Sequence, residues 1–131
     1  MCDIKSKIKM ARESIVLIDS YIDEITLSLL EHKHEDVSVT VCSRNQMSVG
    51  ERNVKRRKGF RSGFSFIETN LFQNMYMMID NKFLYMLSRS LRFNNKRSFW
   101  YIQIMDINEI RRVRQLIMES QMKIRKQYRH F

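Results

Sequence analysis

Residues 73 to 87 read Gln73-Asn74-Met75-Tyr76-Met77-Met78-Ile79-Asp80-Asn81-Lys82-Phe83-Leu84-Tyr85-Met86-Leu87. Two apolar, aromatic-rich runs flank the short polar turn Asp80-Asn81-Lys82, which is the pattern of a β-hairpin. Asp80 stands seven residues after Gln73, a spacing whose meaning emerges below. The methionines Met75, Met77, Met78 and Met86 cluster in this hairpin and read first as adaptable core filling.

Outward from the hairpin, Phe64 to Glu68 and Phe99 to Met105 read as further strands, the latter reached through the polar loop Ser88 to Ser98. From Asp106 the period changes to that of a helix. Ile107, Ile110, Val113, Ile117, Ile124 and Tyr128 form one stripe, with Arg111, Arg112, Arg114, Lys123, Arg125 and Lys126 set against it. Towards the N-terminus, Val37 to Cys42 alternates Val37, Val39 and Val41 with smaller polar neighbours, as a strand does. Ser14 to Asp19 is an uncharged aliphatic run expected of a strand buried on both faces.

Two helices complete the pattern. Asp3 is placed to cap one that carries Ile4, Ile8, Ala11 and Ile15 at helical spacing and ends near Glu13. The second spans Ile22 to Lys33, with Asp23 and Glu24 in its first turn and Ile22, Ile25, Leu29 and Leu30 on its inner side. Strand, helix, strand implies a parallel crossover. The expected class is α/β: a mixed β-sheet flanked by helices, with a long C-terminal helix.

A chain of 131 residues has the size of a single domain, 1–131, and its 44% hydrophobic content in short runs excludes wholesale disorder. No apolar run is long enough to span a bilayer and Met1 to Met10 lacks a signal-peptide core, so no membrane role and a cytoplasmic location are expected. Cys2 and Cys42 have neither zinc nor redox spacing and read as free thiols. The formal charge of +10 favours a polyanionic partner, nucleic acid or an acidic protein.

Much of that charge lies between Arg44 and Arg61: Arg44, Arg52, Lys55, Arg56, Arg57, Lys58 and Arg61 face Glu51 alone. A short helix near Val49 to Lys58 fits weakly, because its surface is polar nearly all round. A second cluster, Arg89, Arg92, Lys96 and Arg97, follows the hairpin. Phe60, Phe64, Phe93 and Trp100 interleave these charges; some can stack on bases, and at least half are expected in the core.

The element order resembles one half of a phospholipase D-like protein. The stretch Ala11-Arg12-Glu13-Ser14-Ile15-Val16-Leu17-Ile18-Asp19-Ser20-Tyr21-Ile22-Asp23 is similar to that family's first strand and loop, and Gln73 to Leu91 to its active-site segment. The resemblance implies an H-x-K-x-x-x-x-D motif in which histidine attacks phosphorus and lysine holds phosphate oxygens. Here those positions are Gln73, Met75 and Asp80, and Ser88-Arg89-Ser90 stands in place of the Gly-Ser element. An amide is no nucleophile and a thioether carries no charge for phosphate.

The resemblance also implies that both basic clusters approach one groove and that single halves pair across a two-fold axis; a homodimer is expected, with the methionine-rich hairpin read as exposed and as its contact surface. His32, His34 and His130 fit a helix end and a terminus better than a catalytic role. Asp19, Asp23 and Asp80 read as turn caps before metal ligands. The expectation is a catalytically degenerate, basic nucleic-acid-binding module without cofactor or metal. Two alternatives stay open: a factor gripping an acidic protein, and a phosphodiesterase or nuclease with a substituted mechanism.

Overall fold

The computed structural model describes residues 4–129, and side chains as far as residue 122. Six strands form one sheet in the order β3-β2-β1-β4-β5-β6. They are β1 (Ser14–Ile18), β2 (Ser38–Ser43), β3 (Phe64–Glu68), β4 (Met75–Ile79), β5 (Phe83–Leu87) and β6 (Tyr101–Ile104). β1, β2 and β3 are parallel neighbours, whereas β4 runs antiparallel to both β1 and β5, and β6 antiparallel to β5. The sheet is mixed, as expected, and the carboxyl ends of β1, β2, β3 and β5 share one edge.

Helices α1 (Ile4–Met10), α2 (Glu24–Leu30) and α3 (Glu51–Arg56) cover one face, and α4 (Ile107–Arg129) covers the other. Alternation along the strands divides the side chains between two cores. Ile15, Leu17, Val39, Val41 and Met77 meet Ile8, Leu27 and Val54 on the first face. Ile18, Cys42, Tyr76, Met78 and Leu84 meet Val113 and Ile117 on the second. Burying each such aliphatic side chain contributes roughly 1.5–3 kcal/mol, which makes β1 and β4, buried on both faces, the anchor of the sheet.

The first helix stops at Met10, short of Glu13. The backbone N–H groups of Arg12, Glu13 and Ser14 all donate to the Asp80 carboxylate, at 3.0, 2.7 and 3.1 Å, so they are unavailable to a helical ladder. The Asp3 cap lies outside the described residues. α2 is also shorter than expected. Asp23 is its N-cap, accepting from the N–H groups of Ile25 and Thr26. This capping box turns Thr26 and Leu27 inward and leaves Ile25 at 50% exposure, contrary to its expected place on the inner stripe.

β6 is shorter at both ends than Phe99 to Met105, with Phe99 buried beside it. In α4 the inward line is Val113, Ile117 and Ser120. Ile107 is exposed because six residues before Val113 lies about 120° round the helix. Ile124 and Tyr128 fall outside the described side chains.

The hairpin turns through Asp80 and Asn81, with φ of 56° and 58°, closed by the Lys82 N–H on the Ile79 carbonyl at 3.0 Å. Left-handed φ at both central residues matches the twist of paired strands, and Asp and Asn tolerate it better than other side chains. Because β4 and β5 lie inside the sheet, with Met77 and Met78 buried, this hairpin cannot be the expected contact surface for a second copy. Its methionines are core, Met75 and Met86 being half-buried.

Candidate functional site

At the carboxyl edge of β1 and β2, where β4 begins, the loops leave a cleft of about 220 Å³. Its wall is Ile18, Cys42, Phe72 and Met75; its polar groups are Asp19, Ser20, Ser43, Arg44, Thr69, Gln73 and Asn74. The crevice beyond the carboxyl ends of parallel strands is where ligands of open α/β sheets bind. Two of the three motif positions, Gln73 and Met75, therefore sit in the cleft.

The third does not. Asp80 closes the far end of β4, where its carboxylate ties β1 to the hairpin. Partial burial opposes its ionisation, but the N–H groups of Glu13, Ser14 and Arg12 hold the carboxyl below its ordinary range. The motif spacing thus links a site residue to a structural clasp at the opposite edge. His34 is there too, its Nε2 against the Arg12 guanidinium, and His32 follows the end of α2. Among the described residues no histidine lines the cleft, and His130 lies outside them.

Within the cleft, Ser20 Oγ donates to Met75 Sδ at 3.7 Å, so the thioether and a neutral hydroxyl occupy the lysine position. Asp19 is only 2% exposed. Its carboxylate accepts from the N–H groups of Tyr21 at 3.1 Å and Leu91 at 2.7 Å. Burial pushes its pKa up, while these bonds, the Leu91 N–H foremost, pull the other way. Asp19, Asp23 and Asp80 all serve as turn or helix caps, and no cluster of three metal-ligating side chains occurs among the described residues.

Ser88 and Ser90 are structural. Ser88 Oγ accepts from the Trp100 N–H at 2.8 Å, and Ser90 Oγ donates to the Tyr21 carbonyl at 3.2 Å. With Asp19 on Leu91, these bonds fix the basic loop after β5 against the loop after β1. Arg92 is part of that tie: it pairs with Asp23 at 3.1 Å and lies 4.6 Å from the Tyr21 ring. Arg89 stacks on Phe93 at 4.3 Å and donates to Ser98. Lys96 and Arg97 are exposed and make no ion pair among the described residues.

The other basic cluster does not gather in the cleft. Arg44 lines it, donating to the Phe72 carbonyl at 3.4 Å. After Arg44 the chain runs through α3 back to the opposite edge, where Ser62 donates to the Glu35 carbonyl and β3 starts. Arg52, Arg56, Lys58 and Arg61 are exposed along that path. Lys55 pairs with Glu51, and Arg57 with Glu24 and Glu31. Arg57 is a strut between α2 and α3. The Glu partners lie far from it in sequence, so nothing local marked it as structural.

The aromatic residues divide as expected in number. Phe60 and Phe64 are buried, edge to face at 5.4 Å. Phe93 is half-buried between arginines, and Trp100 is 54% exposed. Sequence reasoning missed Thr69, Phe72 and Asn74 as cleft residues, since the irregular stretch before β4 has no period to place them. The Cys42 thiol, buried in the second core, is pushed up to about 12 by desolvation. In the native protein at pH 8 Cys42 is expected to resist alkylation for as long as the fold persists, and to label on unfolding. Mass mapping checks this, and rapid native labelling at Cys42 would contradict the packing described.

Sheet order, mixed strand direction and helices on both faces define an α/β fold in which a six-stranded mixed sheet is flanked by helices, with α4 closing one face. Among solved structures, the chain is similar to NucT from Helicobacter pylori, with a TM-score of 0.60 over 89% of this chain and 86% of that one. The identity is 13%, so the likeness is one of fold. No family model and no curated protein sequence matches the chain. No described helix is long and apolar enough to cross a membrane.

Proposed function

We propose that this chain is a phospholipase D-like module with a degenerate catalytic motif that binds nucleic acid without cleaving it. The observation carrying this reading is the cleft itself. At the position where the resemblance implies phosphodiester chemistry, Gln73 and Met75 supply no nucleophile and no cation, while Arg44 lines the cleft and further cations lie in the loop after β5. Arg44 lies on one side and the Lys96–Arg97 loop at the same edge of the sheet, with Trp100 exposed where that loop enters β6. Cations that track a backbone together with an accessible aromatic face suit single-stranded nucleic acid.

The test is fluorescence anisotropy with a labelled single-stranded oligonucleotide at low salt. Lys96→Glu with Arg97→Glu is expected to weaken binding about tenfold or more, whatever the sequence, by losing two phosphate contacts and adding repulsion. Failure of the unaltered protein to bind either DNA or RNA would sink the reading. Arg57→Glu is unsuitable for this purpose, because it breaks the strut to α2.

A protein partner is the second reading, favoured by exposed apolar side chains on and beside the edge strand: Trp100, Ile102, Met105 and Ile107. The opposite edge is guarded, since the Phe66 N–H donates to Glu51. A second copy of this chain is one such partner. Sedimentation that shows only monomer at about 50 μM, near the limit of weak association, removes the homodimer.

A further inference from the structure

We infer that the cleft between the carboxyl ends of β1 and β2 and the start of β4 takes a single unpaired nucleobase, an inference that rests on the nucleic-acid reading above. The cleft has lost what a phosphate needs. Met75 stands where the resemblance implies lysine, and its sulfur is in contact with Ser20 Oγ. Arg44, the cation lining it, shares its guanidinium with the Phe72 carbonyl, and the Asp19 carboxylate adjoins the same space. A dianionic group placed there meets one partly committed cation beside a carboxylate.

A planar heterocycle fits better. Phe72 and Met75 offer an aromatic and a polarizable apolar surface to its faces. Gln73, exposed and without a hydrogen-bond partner among the described residues, presents one acceptor and an NH₂ donor together, the complement of a base edge. Asn74 adds a second amide, anchored through its nitrogen to Tyr76 Oη at 3.4 Å. A volume of about 220 Å³ lies below the range of roughly 300–1,000 Å³ typical of drug-sized ligands. One ring system is what such a space admits. Base edges are available in this way only when the strand is unpaired and the base leaves its stack.

The cleft and the outer cations thus divide the work: Lys96 and Arg97 hold backbone irrespective of sequence, and Gln73 discriminates among bases. The experiment measures affinity at one low salt concentration for four single-stranded homopolymers of equal length, with the unaltered protein, with Gln73→Ala, and with Lys96→Glu/Arg97→Glu. The unaltered protein is expected to span roughly tenfold among the four, the discrimination that one good amide–base pair provides. Gln73→Ala should compress that span to about twofold or less while leaving the salt slope unchanged. The charge variant should weaken all four alike and keep the span.

Equal affinity for all four, or a preference that survives Gln73→Ala, overturns base reading and leaves the binding module standing. Absence of binding to every homopolymer overturns both. Gln73 is exposed and outside both cores, so a changed preference in that variant cannot be assigned to unfolding, and a thermal melt run alongside verifies this.

Discussion

Affinity for a single-stranded oligonucleotide is expected to fall about fifty-fold when salt rises from about 50 to about 200 mM, if roughly four phosphates are neutralised at a slope of about 0.7 each. The candidates for those contacts are the members of the two basic clusters that are exposed and make neither an ion pair nor a ring stack among the described residues: Arg44, Arg52, Arg56, Lys58, Arg61, Lys96 and Arg97. They do not share one groove. Arg52 to Arg61 trace the α3 side towards the far edge, whereas Lys96 and Arg97 lie at the cleft edge. A strand that follows both must cross the α2 side of the domain, and a short one can engage only the cleft group. The slope should therefore grow with oligonucleotide length and then level off. A slope near zero at every length would show that the positive charge serves something other than a polyanion.

Asp80→Ala is expected to destabilise the fold by about 2 kcal/mol, combining lost charge-assisted bonds to backbone N–H groups with an alanine forced to positive φ. For a chain of this size that is a fall of roughly 8 °C in Tm. Three donors, on Arg12, Glu13 and Ser14, are left without their acceptor. The pH dependence has a definite sign. The folded-state pKa of Asp80 is lowered, so its contribution is complete above the unfolded value of about 3.9 and is lost as pH falls through the lower folded value. The gap in Tm between the two proteins should stand at pH 7 and narrow below about pH 4. A gap absent at pH 7 would mean that the clasp is solvated at no cost. The same geometry bars Asp80→Ala as a probe of catalysis, because it acts at the edge of the sheet opposite the cleft.

The strands were legible because β1, β2 and the hairpin carry their pattern locally: Ile15 and Leu17 face one core, Ile18 the other, and Val39 alternates with Thr40. Element ends were less so, since long-range bonds set them. α1 stops where a carboxylate from the hairpin captures its next N–H groups, and no residue near Met10 announces that. The motif frame was legible as spacing and misleading as a site. Gln73 and Met75 reach the cleft, whereas Asp80 holds the far end. Charge was the poorest guide of all. Arg57 and Arg92 look like their neighbours in sequence, yet each is committed to carboxylates brought near only by the fold. Their partners are distant along the chain, and a basic run gives no sign of which members are spoken for.

A module that binds single-stranded nucleic acid without cleaving it leaves the strand intact even when the protein is in excess. The most direct measurement mixes the protein in excess with an end-labelled single-stranded oligonucleotide at low salt, with and without divalent metal, and resolves the products on native and denaturing gels. The strand is expected to be retarded on the native gel and full length on the denaturing one under both conditions. A strand that never shifts, or one shortened in proportion to the protein added, contradicts this reading.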